Sequence, residues 1–160
     1  FYGQAVAWVL AEDEAAARAG AARVTATYEP LSAILSIPDA IAAESFHAPA
    51  QTLTRGDPDA ALPRAAHRLS GELFVNGQDH FYLETQVSWA APEPDGGVNG
   101  VHVHSSTQHP SETQEVVAQI LGVPANRVTV TCLRMGGAFG GKESQAAPYA
   151  AVAALGAVKT

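Results

Sequence analysis

Cysteine is nearly absent: Cys132 stands alone among 160 residues. One thiol can close no internal disulfide and can hold no cysteine-ligated iron–sulfur cluster or zinc site. It agrees with a reducing compartment, so a cytoplasmic location is expected. Charge is sparse, at 16% of residues, with a net of −7; an acidic balance argues against a nucleic-acid surface. No apolar run approaches the roughly 20 residues of a membrane span. Repeats and low-complexity tracts are missing too. The chain opens at Phe1-Tyr2-Gly3-Gln4 with neither an initiator methionine nor a basic leader, and it stops at Lys159-Thr160 within or just after a helical pattern. Both ends read as cut, and a fragment of a longer protein is expected. What is present is globular in character, with 47% hydrophobic residues. That is enough for one core or for pieces of two.

The N-terminal pattern is β-α-β. Ala5 to Leu10 is nearly continuously apolar, as a buried strand would be. Asp13 can cap a helix over 14–22, and Val24 to Tyr28 reads as a second strand, which suggests a right-handed crossover. From Pro30 to about Gly56 there is little periodicity beyond a helical turn at 39–43, so this is a linker or strap. A short helix is expected at 57–66, with Pro58 at its first position.

The second half reads as sheet. Strands are expected at 67–75, 81–90 and 98–105, with turns at 76–80 and 92–97. Ser111 and Gln114 form a capping box for a helix ending at Leu121, before Gly122-Val123-Pro124. Trp8, Leu73, Phe81 and Trp89 are expected in the core. His102 and His104 share a strand face, with His109 beyond them. No zinc spacing is diagnostic there, and surface or edge positions are expected. Gln78-Asp79-His80 reads as a hydrophilic hairpin or as a ligand-facing turn.

The stretch Met135-Gly136-Gly137-Ala138-Phe139-Gly140-Gly141-Lys142-Glu143-Ser144 organises the rest. A β-branched run at 127–133 precedes it, and an alanine-rich helix to Lys159 follows, with Pro148 near its first turn. Strand, glycine loop and helix can aim backbone N–H groups at an anion. Gly136 to Lys142 matches a phosphate-binding loop up to the position needing Ser or Thr, where Glu143 stands instead. A plain tight turn packed on a sheet fits equally.

Two motifs then carry a resemblance. Gly77-Gln78-Asp79-His80-Phe81-Tyr82-Leu83-Glu84-Thr85 is followed about fifty residues on by Arg134-Met135-Gly136-Gly137-Ala138-Phe139-Gly140-Gly141-Lys142-Glu143-Ser144. Together with Thr54-Arg55-Gly56-Asp57, Ser106-Thr107-Gln108-His109-Pro110 and Leu121-Gly122-Val123-Pro124, they resemble the molybdenum-binding subunit of the xanthine dehydrogenase and aldehyde oxidase family, in family order.

The resemblance implies an α+β fold covering about a fifth of such a subunit. Residues 1–30 would be the end of an α/β-hammerhead domain and 31–56 a linker. Residues 57–160 would begin the molybdopterin-binding domain, a mixed sheet with flanking helices. It implies that Gln78 hydrogen-bonds an oxygen ligand of molybdenum without touching the metal. Phe139 and Gly140 would pass against the metal centre and its pterin, and Glu143 would contact a purine and stabilise charge developing on it. Family chemistry is attack of a metal-bound hydroxide on an electron-poor ring carbon, with hydride passing to a sulfido ligand. Electrons then leave through iron–sulfur clusters and FAD to NAD, on other domains or subunits of a hetero-oligomer.

Glu143 points to xanthine or hypoxanthine, whereas Ala138, where xanthine dehydrogenases usually carry glycine, points to aldehydes or other N-heterocycles. The family's general-base glutamate has no counterpart in this chain, so the fragment alone is expected to be inactive.

Overall fold

Three short strands make the only sheet among the described residues, which are 3–93 and 100–160 of a computed structural model. Strand β1 (Ser88–Pro92) pairs antiparallel with β2 (Val101–Ser105), and β2 pairs parallel with β3 (Val128–Thr131). A parallel pair needs a crossover, and helix α4 (Pro110–Leu121) supplies it. Pro110 begins α4, where its missing N–H costs nothing, and Gly122 ends it in the left-handed region at φ 68°. The side chain of Gln114 donates to the carbonyls of Ala125 and Val128, at 3.1 and 2.6 Å, tying the helix to the strand that follows. Ser111 therefore lies inside the helix rather than capping it; His109 holds the cap position, and Gln114 faces β3 instead of reaching back.

One sheet face is covered and the other is not. Val101, Val103 and Val128 point inward against Val117 and Ala118 of α4 and against Ala150, Ala151 and Ala154 of α5 (Ala147–Lys159). Small alanines let α5 approach closely, and each buried valine contributes about 1.5–3 kcal/mol. Trp89, His102, His104, Thr129 and Thr131 occupy the opposite face by strand alternation. No helix among the described residues covers it, so Trp89 is exposed, contrary to the core position expected. His102 and His104 stack there at 4.5 Å, and no metal-binding cluster forms among the described residues.

The N-terminal crossover does not form. Helix α1 (Glu14–Ala21) is present with Asp13 capping it, but 5–10 and 24–28 are not strands. Residues 5–10 instead run along α5 without a ladder: Trp8 meets Tyr149 edge-on at 5.4 Å, and Leu10 lies over Gly156. Trp8 remains half exposed. These residues belong to one compact unit that runs up to Val24 and resumes at Gly77–Thr160.

The second unit, Thr25–Asn76, holds short helices α2 (Ile37–Ala42) and α3 (Pro58–Ala61), capped by Ser36 and Asp57. A turn of 3-10 helix at Leu62–Arg64 follows α3. Residues 67–75 form no strand, and Leu73 is exposed. The strand expected over 81–90 shrinks to β1, because no partner edge faces its first half, and Phe81 is exposed as well. Residues 76–80 take no regular structure, and with no strand before them the expected hairpin does not form. Of the strand and turn expected across 92–105, positions 94–99 lie outside the described residues. No helix among the described residues is long and apolar enough to cross a membrane.

Candidate functional site

The glycine loop lies against the segment from His80 to Gln86, and three contacts explain its composition. A Cβ at Gly136 would stand 2.5 Å from the Glu84 Cβ, and one at Gly141 would run into the Tyr82 ring. One at Gly137 would press Tyr82 at 3.2 Å. These glycines are small because another stretch of the same chain occupies the space. Backbone bonds close the seam: Glu84 N–H donates to the Gly136 carbonyl at 3.2 Å, and Gly136 N–H donates to Glu84 Oε2 at 3.2 Å. Gln86 Nε2 donates to the Gly141 carbonyl at 3.0 Å and to the Tyr82 hydroxyl at 2.9 Å. The Gly141 carbonyl accepts only, which fixes the orientation of that amide. It leaves Gln86 Oε1 buried without a partner among the described residues.

Lys142 is the anchor. Its side chain is 0% exposed, and Nζ donates to Glu84 Oε1 at 2.9 Å and to Ser106 Oγ at 2.8 Å, 4.9 Å from the centre of the Tyr82 ring. A buried ammonium requires such partners. The Ser106 hydroxyl, then the Lys142 ammonium, hold the Glu84 carboxyl below its ordinary range. The open side of Glu84 borders a groove on the uncovered sheet face, shared with Trp89, His104, Thr131 and Arg134.

The phosphate-binding reading of the loop fails on this geometry. Its lysine points inward and is neutralised, and the amides of Gly136, Gly140, Gly141 and Lys142 are already bonded. Gly140 and Lys142 N–H donate to Gln108 Oε1 at 3.0 and 3.3 Å, and Gly141 N–H donates to the Ala138 carbonyl at 2.8 Å. Nor does Glu143 sit in a helix dipole. It lies four residues before α5 begins, beyond the first turn over which that field acts.

What the loop turns outward is Phe139 and Glu143. Phe139 is 75% exposed with φ 54°, between Gly137 and Gly140 at φ 101° and 91°. A phenylalanine held in the left-handed region costs about 1–3 kcal/mol and persists only where surrounding contacts over-determine it. Glu143 is exposed and has no side-chain hydrogen bond among the described residues.

Gln78 is likewise exposed, its amide uncommitted among the described residues. It stands two residues before His80, whose ring lies 3.7 Å from a Cβ built on Gly140, so its Cα is within about 8 Å of that of His80. Asp79 Oδ1 accepts from Phe81 N–H at 2.9 Å and helps turn the chain there, with Phe81 also at positive φ, 47°. The structure thus brings the segment headed by Gln78 to the loop bearing Phe139, Gly140 and Glu143. No hydrogen bond joins Gln78 to Glu143.

Three participants, Glu84, Gln86 and Gln108, carried no role in the sequence reading. Only Glu84 left a signal: a lysine among glycines, if buried, demands a carboxylate, and one stands in the other quoted motif.

A family model described as the molybdopterin cofactor-binding domain matches residues 41–160. A xanthine dehydrogenase of Emericella nidulans is 43% identical over 157 residues, covering 98% of this chain and 11% of the relative. Aldehyde oxidase 2 of Cavia porcellus is 42% identical over 159 residues, covering 99% of this chain and 12% of the relative. A nicotinate hydroxylase of Emericella nidulans is 41% identical over 162 residues, again 99% and 12%. The chain therefore spans 11–12% of the length of these relatives.

Proposed function

The chain belongs to the molybdopterin cofactor-binding domain family, and from that premise we propose that it is part of a molybdenum hydroxylase oxidising xanthine or hypoxanthine to urate. One observation carries this reading. The loop's lysine and the amides of Gly136, Gly140, Gly141 and Lys142 are spent internally, while a strained Phe139 and an exposed Glu143 face outward beside the segment of Gln78. That donor set fits the group: a neutral amide, an aromatic wall and a carboxylate, with no competing internal cation.

Gln78 and the backbone at Phe139 and Gly140 would hold the molybdenum–molybdopterin group. When bound, that group supplies two-electron oxidation of a substrate carbon, with oxygen drawn from water. Phe139 would exclude bulk water from the reacting face. Glu143 would accept from ring N–H groups of a purine and orient it. The rest of the site, including a general base, would come from outside this chain, as would the iron–sulfur and FAD carriers of the same enzyme. Residues 1–30 are read as hammerhead, 31–56 as linker and 57–160 as the start of the cofactor-binding domain.

Oxidation of an aldehyde or another N-heterocycle is the second reading, favoured by Ala138. Its methyl group is buried, at 6% exposure, so it faces the loop's interior and weighs less than the exposed carboxylate of Glu143. The test is Glu143→Ala in the full-length, molybdenum-loaded protein. Expected is a fall of about 10²–10³ in kcat/KM for xanthine, the usual range for one lost charge-stabilising contact, with aldehyde turnover little changed. Equal loss on both substrates, or an aldehyde preference in the wild type, would overturn the purine reading.

A further inference from the structure

The side chains that hold the segment to the glycine loop alternate along it. Tyr82, Glu84 and Gln86 reach the loop, whereas Phe81, Leu83 and Thr85 are exposed, a period of two. His80 continues the series. A Cβ at Gly141 would stand 3.0 Å from the His80 Cγ, and one at Gly140 would stand 3.7 Å from its Nε2, so the ring is seated over these two glycines. It lies 6.3 Å from the Tyr82 ring and is tilted 39° to it. The chain bends at this point: Asp79 Oδ1 accepts from Phe81 N–H at 2.9 Å, and Phe81 stands at φ 47°. Gln78 follows on the N-terminal side, with no hydrogen bond of its own to the loop among the described residues.

We propose that His80 is a positioning residue, whose ring, seated over Gly140 and Gly141, sets where the Gln78 amide stands relative to the loop. This rests on the functional reading of Gln78 and Gly140 given above. The physical need is visible at Phe81. A phenylalanine at positive φ relaxes unless its neighbours are held, and its own exposed side chain does not hold it. The restraints are the Asp79 carboxylate on one side and the rings of His80 and Tyr82 against the loop on the other. Two residues of chain span at most about 7 Å, so Gln78 stays near Gly140 while the His80 ring is seated. With the ring removed, Asp79 can still bond Phe81, but the turn is free to lift from Gly140 and to take Gln78 with it. The role needs the bulk of a flat ring and not its nitrogens, because the His80 side chain makes no hydrogen bond among the described residues. A phenylalanine ring can supply that bulk. His80 is exposed, so exchanging it does not disturb the core.

The experiment compares His80→Ala and His80→Phe with the wild type in the molybdenum-loaded full-length protein. Hydrogen exchange is followed on peptides covering 77–82, with those covering α4 as a control for the fold, alongside kcat, KM and the molybdenum(V) paramagnetic resonance spectrum. For His80→Ala, exchange at the Phe81 amide is expected to quicken about tenfold, as part of a ring's packing is lost, with α4 unchanged. A fall of about 10²-fold in kcat, the effect of a misplacement of about 1 Å, is expected with a smaller change in KM and an altered resonance spectrum. His80→Phe should return all of these toward wild type. Unchanged exchange in His80→Ala overturns the proposal, as does faster exchange with kcat and the spectrum unmoved. A phenylalanine variant as impaired as the alanine one overturns it too. If α4 also loses protection in His80→Ala, the phenylalanine variant decides alone: wild-type exchange, kcat and spectrum support the role, and a lowered kcat overturns it. Wild-type protein without molybdenum would instead sink the functional reading, and the positioning role with it.

Discussion

A methyl group at Gly136 tests the seam where it is tightest. The added Cβ would stand 2.5 Å from the Glu84 Cβ and 3.3 Å from its Oε2. Both carbons are anchored to backbone, so no rotamer change relieves the overlap and the two stretches must part. Overpacking of this kind costs about 1–3 kcal/mol. Parting also weakens the bond from Glu84 N–H to the Gly136 carbonyl, now 3.2 Å long, worth about 1 kcal/mol. Gly136→Ala should therefore lose about 2–4 kcal/mol. In a folding unit of 60–100 residues each kcal/mol moves Tm by about 4–8 °C, so Tm should fall by about 10 °C or more. Gly77→Ala is the control: it lies in the same unit, its Cβ would meet nothing within 4 Å, and its φ is not in the left-handed region. That variant should melt within a few degrees of the wild type. Thermal melting of the 160-residue chain, followed by circular dichroism, decides it. If Gly136→Ala melts with Gly77→Ala, the packing of the loop on Tyr82 to Glu84 is wrong.

Glu84 titrates below its ordinary value of 4.5 in the folded chain. Its ionised form therefore contributes stability above that pH, and the contribution fades as pH falls through 4.5 toward the lowered folded value. Melting temperatures of wild type and Glu84→Gln should converge as the pH drops through this window, and parallel curves would contradict the ion pair. Phe139→Gly relieves the left-handed backbone and should raise stability by about 1 kcal/mol, read by melting, while kcat of the full-length protein falls; an unchanged Tm would mean the strain is absent. The 160-residue chain by itself should carry no stoichiometric molybdenum by elemental analysis, because it spans only 11–12% of its relatives; a one-to-one metal content would refute that.

Helices were legible and strands only partly so, for a reason rooted in where each finds its hydrogen bonds. A helix satisfies its backbone within itself, so Asp13 before 14–21 and Pro110 with Gly122 around α4 carry enough local information. A strand needs a neighbour. Residues 5–10, 24–28 and 67–75 have strand-like composition, but no edge pairs with them among the described residues, and they form no strand and stay largely exposed. Strands β2 and β3 succeeded because α4 joins them, with α5 packed on β2 and α4 on β3 at their inner face.

The loop's outward residues, Phe139 and Glu143, could be named from two motifs about fifty residues apart. Its anchoring could not. The Lys142–Glu84 pair spans 58 positions, and the Gln108 oxygen meets Gly140 across 32. No local pattern reports such partners, and the glycines suggested ligand approach where the structure shows packing against Tyr82 and Glu84.

The most direct measurement locates molybdenum by anomalous diffraction from crystals of the full-length protein. The expected result is metal beside the outward face of the loop, with the Gln78 amide and the Phe139–Gly140 backbone against its cofactor and Glu143 across the substrate space. Metal bound elsewhere, or Gln78 and Glu143 on faces that share no cleft with it, would contradict the assignment.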